Sequence, residues 1–381
     1  MNSSAGWKNT SDIHLHIVSF DVPYPANYGG VIDVFYKAKA LAEHGVKVHL
    51  HCFEYGSKKA TELEKLFYEV HYYKIDMSKR HLFNKKPFIV ESRLSERLIQ
   101  NLLHDDYPIL MEGLHTTGLL REKRLQNRKR VVRTHNIEYE YYKNLSKAET
   151  NLKRKFYFFT EAVKLKRYER ILSKADLLLT ISQTDDNYFS ARFKHVVYLP
   201  AFHPYTSVRS LMGKGEYALY HGNLSIPENV NAVTTLLNQV FKDSKILFKI
   251  AGLNPPPSLR QLVAANPLAE MIANPDDEQL NLLIEKAQVN ILYTGQATGL
   301  KLKLLNALYN GRFVLANDKM LSGSNLEKLC VMADSTLKMK TLLAGLMKKD
   351  FTSAMKRERQ THLQSIYMHE NNIKRLIELI A

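Results

Sequence analysis

The stretch EYALYHGNLSIPENVNAVTTLLNQVFKDSKILFKIAG, residues 216–252, decides the fold. Its first part, EYALYHGNLS (216–225), is an apolar segment that ends in a turn, which predicts a buried strand. The next part, PENVNAVTTLLNQVF (227–241), begins with proline and predicts a helix. KILFKIAG (245–252) predicts a second strand. A strand, a helix and a strand in this order indicate one parallel βαβ unit.

The same alternation extends in both directions from this unit. Strands are also predicted at DIHLHIVSF (12–20), VKVHLHCF (46–53), YPILMEGLH (107–115), KRVVRTHNIE (129–138), ADLLLTIS (175–182), QVNILYT (288–294), RFVLAN (312–317) and LCVMAD (329–334). Helices are predicted at 31–43, at 275–287 and over the long stretch 145–172. His44-Gly45 is the predicted end of the first of these helices. The apolar face of that long helix consists of Leu152, Phe156, Phe159, Ala162 and Val163, and its opposite face is strongly basic.

Strands that alternate with helices of this length indicate doubly wound parallel sheets. The chain has 381 residues, which is too long for one small core, and we expect two such α/β domains in tandem. The predicted N-terminal domain is 1–205 and the C-terminal domain is 206–363. Residues 364–381 should form a final helix that packs back on the N-terminal domain. In open α/β sheets a ligand binds beyond the carboxyl ends of the strands, so we expect it in a cleft between the domains.

The composition is that of a globular protein, with 45% hydrophobic and 24% charged residues. The N-terminal sequence MNSSAGWKNTSD resembles no secretory signal, and no apolar run reaches the roughly 20 residues that span a bilayer. We therefore expect a cytoplasmic protein in which Cys52 and Cys330 are reduced core residues.

The formal net charge is +16, and basic residues are densest at 121–130 and 153–170. Such a surface can attract nucleic acid, anionic lipid headgroups or phosphorylated small molecules, or it can be only a solvated face. No nucleic-acid recognition module accompanies the charge, so nucleic acid is not expected as a partner.

Thr298 to Asp318 reads TGLKLKLLNALYNGRFVLAND, and its helix begins where a strand has just ended. Free backbone N–H groups at a helix start form an anion site, which Gly299 leaves open and which Lys301 and Lys303 supply with positive charge. A phosphate or pyrophosphate is the expected guest. The alternative is that both lysines lie on a solvent face.

Other predicted strand ends also present glycines and polar side chains. These positions are Gly29 and Gly30 before the first helix, Gly222 and Asn223 after the strand at 216–225, and Glu112, His115, Arg133, His135, Asn136 and Glu138 in the first half. A single histidine is more often structural than catalytic. Two polar clusters at strand ends on the expected cleft side favour contact with a ligand.

These residues together resemble the GT-B glycosyltransferases of the family 4 (group 1) type, over nearly the whole chain. The segments that carry the resemblance are PANYGG (25–30), VVRTHNIE (131–138), ADLLLTISQTDDNYF (175–189), YHGNLSIPENVNAV (220–233) and TGLKLKLLNALYNGRFVLAN (298–317). Each is weak alone, but five in the family's order are fairly specific.

The resemblance implies an enzyme that transfers a sugar from a nucleotide-sugar donor, without a bound metal or cofactor and with retention of configuration. The sugar would be a hexose such as mannose or glucose, the donor a UDP- or GDP-sugar, and the acceptor a glycan or a lipid-linked sugar of a cell-surface polysaccharide or glycoconjugate. The basic first half then suggests contact with anionic lipid at the inner face of the cell membrane.

The resemblance also implies a role for each matching position. The catalytic positions would be His135, Asn136 and Thr298. The donor-binding positions would be Gly29, Gly30, Gly222, Asn223, Ala273, Asn274, Gly299, Leu300, Lys301, Lys303 and Asn306. The acceptor-side positions would be Glu112, His115, Arg133 and Glu138.

The sequence departs from the family at two positions eight residues apart, Thr298 and Asn306, where many members have glutamates. The amide of Asn306 can still hydrogen-bond ribose hydroxyls, whereas Thr298 replaces a carboxylate only in part. The Arg–Lys pair that many members carry after the glycine at position 222 is also missing. A divergent transferase, a nucleotide-sugar epimerase and a non-catalytic nucleotide-sugar binder therefore stay open.

Overall fold

The structure is a computed structural model that describes residues 12–26, 29–56, 60–295 and 302–380. Its strands are β1 His14–Ser19, β2 Lys47–Glu54, β3 Glu69–Lys74, β4 Ile109–Glu112, β5 Arg130–Thr134, β6 Leu177–Thr180, β7 Val196–Tyr198, β8 Tyr217–Asn223, β9 Leu247–Leu253, β10 Ala269–Ala273, β11 Val289–Leu292, β12 Phe313–Ala316 and β13 Val331–Met332. Its α-helices are α1 Gly29–Glu43, α2 Thr61–Leu66, α3 Phe88–Glu91, α4 Glu96–Leu102, α5 Glu138–Ala148, α6 Leu152–Tyr168, α7 Gln183–Ser190, α8 Pro227–Thr235, α9 Pro257–Ala264, α10 Asp277–Lys286, α11 Leu302–Asn310, α12 Asp318–Leu321, α13 Thr336–Leu346, α14 Ser353–Tyr367 and α15 His369–Ile380.

Two sheets hold the strands, and every pairing between neighbouring strands is parallel. The first sheet has the order β3-β2-β1-β4-β5-β6-β7 and the second the order β10-β9-β8-β11-β12-β13. In both, the strand order reverses beside the first strand of the sheet, which is the doubly wound arrangement. The predicted fold class of two parallel-sheet α/β domains is confirmed.

The chain forms two compact units. The first comprises Met1–Tyr142, Phe159–Pro204 and Tyr367–Ala381, and the second Lys143–Phe158 and Tyr205–Ile366. The core of the first unit places Leu15 of β1 and Val34 of α1 in one cluster with Ile373, Leu376 and Ile380 of α15. The last helix thus packs its apolar face into the core that contains the first strand.

Glycines are required at two points around α1. A Cβ on Gly30 would lie 2.6 Å from the Phe20 ring, so the first turn of α1 packs directly against the residue that follows β1. Gly45, just after α1, has φ +86°, which ends the helix as a left-handed residue does. No described helix is both long and apolar enough to cross a membrane.

Several predicted elements were wrong in detail. The stretch 145–172 is two helices, α5 and α6, because Glu149 and Asn151 accept hydrogen bonds from backbone N–H groups in the turn between them. The fourth strand ends at Glu112 and not at His115, which lies in the 3-10 segment Leu114–Arg121. The final helix begins at His369 and follows a separate helix, α14.

A hydrogen-bonded chain of side chains crosses the first three strands. Asp105 accepts from Nε2 of His16 at 2.9 Å, Nδ1 of His16 accepts from Nε2 of His51 at 2.8 Å, and Nδ1 of His51 accepts from the Tyr73 hydroxyl at 2.8 Å. Asn101 donates in turn to that hydroxyl at 2.8 Å. Burial lowers the pKa values of His16 and His51, so both imidazoles are neutral at pH 7 and each has one N–H to donate along the chain.

This chain predicts loss of stability in mild acid. Burial lowers the pKa of His16 to about 4, although the hydrogen bond to Asp105 opposes the shift. A histidine whose folded pKa is depressed stabilises the fold above about pH 6.5, and this stability is lost as the pH falls toward 4. We expect the free energy of unfolding to drop by about 3 kcal/mol over that interval through His16. Urea unfolding at pH 7, 6, 5 and 4 measures the drop.

The matched variants are His16→Gln and His104→Gln, the second at an exposed histidine. His16→Gln should flatten the pH profile and His104→Gln should leave it unchanged. Equal profiles for wild type and His16→Gln would contradict the assignment.

Candidate active site

In each sheet the strand order reverses at one point, and ligands of doubly wound folds bind beyond the carboxyl ends of the strands there. In the first unit this point lies between β1 and β4, and in the second between β8 and β11.

In the first unit, Arg133 at the end of β5 is completely buried. Its Nε and Nη2 donate to the two carboxylate oxygens of Asp33 at 3.0 and 2.9 Å. Its remaining N–H groups donate to the backbone carbonyls of Thr180, Leu199 and Pro200. All five guanidinium N–H groups are thus used, and Arg133 joins β5 and β6 to α1 and to the segment after β7.

A second ion pair extends this cluster toward β4. The Lys37 ammonium lies 2.9 Å from a carboxylate oxygen of Asp33 and 2.8 Å from one of Glu112. The other oxygen of Glu112 accepts from Nε2 of His135 at 2.9 Å. Burial alone would raise the pKa values of Asp33 and Glu112, but the cations beside them and the hydrogen bond from His135 hold both below the ordinary range. Both carboxyl groups are therefore ionised.

Asp33, Glu112 and His135 offer ligand atoms that lie within 4.8 Å of one another, as a metal site would. Both carboxylates already contact the Lys37 ammonium. With Arg133 the cluster contains two cations and two carboxylates, so its charge is balanced without a metal ion. The geometry therefore favours a structural ion-pair network.

The structure corrects two expected acceptor-side roles. The side chains of Glu112 and Arg133 have no exposed area, and their polar groups contact other residues of the first unit. Direct contact with an acceptor is not compatible with that burial. His135 is 9% exposed, and its ring is held by Glu112 and by an edge contact with Phe20.

The other polar positions predicted in the first half are Asn136, Glu138 and His115. Glu138, the first residue of α5, is 5% exposed, and Asn136 hydrogen-bonds its carboxyl group. Burial raises the pKa of Glu138 to about 7, a net effect that includes the opposing hydrogen bond from Asn136 and the smaller contribution of the Asp185 charge. His115 stacks on Phe20, and burial holds its pKa well below the ordinary value, so it is neutral.

In the second unit, Lys303 in the first turns of α11 lies close to the end of β8. Its ammonium is 5.2 Å from the centre of the Tyr220 ring. Burial and, to a smaller extent, the charge of Lys303 together lower the pKa of the neighbouring His221 to about 3. His221 is 4% exposed, and its Nε2 has no hydrogen-bond partner among the described residues. A cation and a neutral imidazole thus lie together at the carboxyl end of β8.

The helix that follows β8 is tied to the ends of the central strands. Glu228 in the first turn of α8 accepts a hydrogen bond from the Thr294 hydroxyl and one from the backbone N–H of Gly295. Asn229 accepts from the Tyr220 hydroxyl at 3.0 Å and donates to the carbonyl of Asn223 at 2.8 Å. These bonds hold the start of α8 beside β8 and the loop after β11.

The remaining residues predicted at the donor site differ in exposure and in hydrogen-bond partners. Asn223 is exposed but its amide oxygen accepts from Ser225, and a Cβ at Gly222 would lie 3.4 Å from Asn229. Asn306 accepts from Asn310 at 2.7 Å and donates weakly to Asn281, at 3.4 Å.

Ala273 ends the edge strand β10, and Asn274 follows it with φ +53° and accepts from the N–H of Asn254. Gly29 has open space where a Cβ would lie. Thr298, Gly299, Leu300 and Lys301 lie outside the described residues.

Sequence reasoning missed Asp33, Lys37, His221 and Glu228. Asp33 and Lys37 stand one helical turn apart in α1, and this i, i+4 pair of opposite charges was the available signal. Their partners are far away in the sequence, so only the fold brings them together. His221 and Glu228 lie within segments that were quoted for their glycines and prolines.

Comparison with solved structures identifies the architecture. The chain aligns with sucrose-phosphate synthase of Thermosynechococcus elongatus at a TM-score of 0.70 and 14% identity, over 96% of this chain and 98% of that one. The fold is that of the GT-B glycosyltransferases. HepE of Anabaena, solved with UDP and glucose, aligns at a TM-score of 0.66 and 11% identity, over 96% and 99% of the two chains.

Another similar structure is a variant of TarM of S. aureus, solved in complex with fondaparinux, alpha-GlcNAc-glycerol and UDP. It aligns at a TM-score of 0.67 and 9% identity, over 97% of this chain and 99% of that one. In sequence, the chain is 28% identical over 342 residues to a Klebsiella pneumoniae protein described as an uncharacterized 44.6 kDa protein in the cps region. That match covers 84% of this chain and 88% of the other. No protein-family model matches the chain.

The Lys37 network predicts a large cost when one ion is removed. Lys37→Met leaves Glu112 and Asp33 buried with one cation fewer and should lower the free energy of unfolding by about 3–5 kcal/mol. The matched control on the same helix is Lys39→Met, since Lys39 is 40% exposed and lies 3.8 Å from Glu43. It should cost less than about 1 kcal/mol. Urea denaturation at pH 7 compares the two, and similar losses would contradict a structural network.

The buried carboxyl of Glu138 predicts the opposite pH dependence from the histidine chain. An acid whose folded pKa is raised destabilises the fold as the pH rises from about 4.5 through 7, because the unfolded chain then releases its proton more readily. Glu138→Gln should therefore gain about 2–3 kcal/mol relative to wild type between pH 5 and 8.5. Glu140→Gln, on the same helix, is the control. No relative gain in urea unfolding would show that Glu138 is not protonated.

Proposed function

We propose that this protein is a glycosyltransferase that moves a hexose, such as mannose or glucose, from a UDP- or GDP-sugar to a glycan or lipid-linked acceptor. The GT-B architecture over nearly the whole chain supports this reading. HepE and TarM, which have this architecture, were solved with UDP. The product would belong to a cell-surface polysaccharide or glycoconjugate.

The observation that supports the donor site best is the position of Lys303. Its ammonium lies at the carboxyl end of β8, the strand beside which the order of the second sheet reverses. A diphosphate bound there would receive a positive charge from Lys303. Lys301 and the backbone around Gly299 and Leu300 would complete the site, with Ala273 and Asn274 near the base and Asn306 near the ribose.

Protein cations at this position favour a metal-independent reaction, because they can stabilise the charge that develops on the leaving diphosphate. In the first unit we assign His135 to the reacting sugar, with Asn136 as its companion, and in the second unit the family resemblance gives Thr298 a catalytic role. Glu112, Lys37, Asp33 and Arg133 are positioning residues, since they hold the His135 ring and are themselves buried. Retention of configuration follows from the family resemblance alone.

On the acceptor side, His115 and Glu138 remain proposed contacts, and the glycines at positions 29 and 30 would allow close approach of the ligand. We place the protein in the cytoplasm, with its acceptor at the inner face of the membrane. The domain boundaries 1–205, 206–363 and 364–381 are retained as proposals.

Ligand binding tests the donor site first. Thermal unfolding with UDP, GDP and their hexose conjugates should show stabilisation by one nucleotide family, by about 2.7 kcal/mol at a hundredfold excess over Kd. Lys303→Ala should weaken that binding about 10- to 100-fold, because a charged contact to the diphosphate is lost. Lys245→Ala, at an exposed lysine of the same unit, should leave it unchanged.

Unchanged affinity in folded Lys303→Ala would contradict the diphosphate assignment, and no stabilisation by any nucleotide would contradict the function. Mass spectrometry of the products with and without acceptor then separates the alternatives. An epimerase converts the donor alone, and a non-catalytic binder converts nothing.

A further inference from the structure

The helix α6 exposes a stripe of large apolar side chains. Leu152 is 80% exposed, Phe156 69%, Phe159 56% and Val163 38%. We call these four residues the α6 stripe. The sequence predicted one apolar face of Leu152, Phe156, Phe159, Ala162 and Val163 on this helix, and of these five only Ala162 is buried. Large apolar side chains gathered on one exposed face of a soluble protein indicate a contact surface.

The α6 stripe is opposite the side of the helix that the protein covers. With 3.6 residues per turn, its four members project within about 60° of one another. The buried residues of the helix are Glu161, Ala162 and Leu165. Glu161 fixes this side, because its carboxylate accepts from the backbone N–H of Phe88 at 2.7 Å and pairs with Lys164 at 2.8 Å.

The start of the helix is also well defined. The side chain of Asn151 accepts hydrogen bonds from the N–H groups of Lys153 and Arg154 at 3.1 and 3.2 Å, which caps the first turn. The Ser146 hydroxyl donates to the carbonyl of Lys155 at 3.0 Å and ties the end of α5 to that turn. The α6 stripe therefore lies on a helix whose first turn is capped and is hydrogen-bonded to the end of α5.

Basic side chains flank the α6 stripe. The helix contains six basic residues, Lys153, Arg154, Lys155, Lys164, Lys166 and Arg167, and one acidic residue, the buried Glu161. Lys155 and Lys166 project on one side of the stripe, and Lys153 and Arg167 on the other. An apolar centre with positive charge on both sides matches the boundary between acyl chains and anionic headgroups.

We propose that α6 docks this protein on an anionic lipid surface, with the α6 stripe among the acyl chains and the flanking lysines and arginine at the headgroups. Charge complementarity favours this occupant over a second copy of the chain. A two-fold contact between two such faces would bring their basic flanks together, at a cost in repulsion. The docking does not depend on the sugar-transfer reaction.

The test uses the full chain and vesicles, without nucleotide or acceptor. Flotation with equimolar phosphatidylglycerol and phosphatidylcholine at 50 mM salt should recover the wild-type protein with the vesicles. Pure phosphatidylcholine, or 500 mM salt, should recover much less, because the charge attraction is absent or screened. Absence of binding to the anionic vesicles at 50 mM salt would overturn the proposal.

Two variants and two matched controls locate the surface. Phe156→Ser/Phe159→Ser should lower the partition coefficient at least about tenfold, whereas Leu337→Ser, at a residue of α13 that is 75% exposed, should not change it. Lys153→Gln/Lys155→Gln should lower it about fivefold per charge. Lys348→Gln/Lys349→Gln, at two exposed lysines of the second unit, should change it less than about twofold.

All four variants are exposed-residue changes and should keep the wild-type melting temperature. Wild-type binding by folded Phe156→Ser/Phe159→Ser would overturn the role of α6. Sedimentation that shows a dimer which this variant dissociates, without vesicle binding, would identify a second copy as the occupant and also overturn the proposal. A failure here leaves nucleotide binding in the second unit untouched, so the two proposals are tested separately.

Discussion

The pairing of Arg133 with Asp33 is the interaction on which the first unit depends. Both side chains lack any exposed area, and together they join β5, α1 and the segment after β7. Charges buried in this way are stable only while every partner is present, since an isolated buried ion costs several kcal/mol. Lys37 pairs with Glu112, and Glu112 accepts a hydrogen bond from His135. This hydrogen bond fixes the orientation of the His135 ring at the carboxyl edge of the sheet.

The second unit uses a different arrangement at the corresponding edge. The carboxyl ends of its central strands, β8 and β11, are joined to α8 by hydrogen bonds of Asn229, Thr294 and Glu228. The cation at this edge of the sheet is Lys303. The first edge contains a buried network of paired charges, whereas the second combines the Lys303 ammonium and the Glu228 carboxylate with the neutral imidazole of His221. Under the proposed function, the first edge would orient the reacting group and the second would hold the anionic donor.

The strands and their order were largely predictable, because parallel strands buried on both faces form continuous apolar runs such as ADLLLTIS. The edge strands β3, β7 and β10 were missed, since they are short or half-exposed and their patterns are weaker. Polar contacts depend on residues distant in sequence: the roles of Arg133 and Glu112 changed once their burial and partners were visible. The face of α6 is a second example, because an apolar stripe in the sequence indicates a contact surface but does not identify the partner that covers it.

A crystal structure of the protein soaked with UDP or GDP would test the proposed donor site directly. We expect electron density for the diphosphate at the carboxyl end of β8, within hydrogen-bonding distance of the Lys303 ammonium. Density for the nucleotide at another place on the chain, with Lys303 still beside Tyr220 and without a phosphate contact, would contradict it.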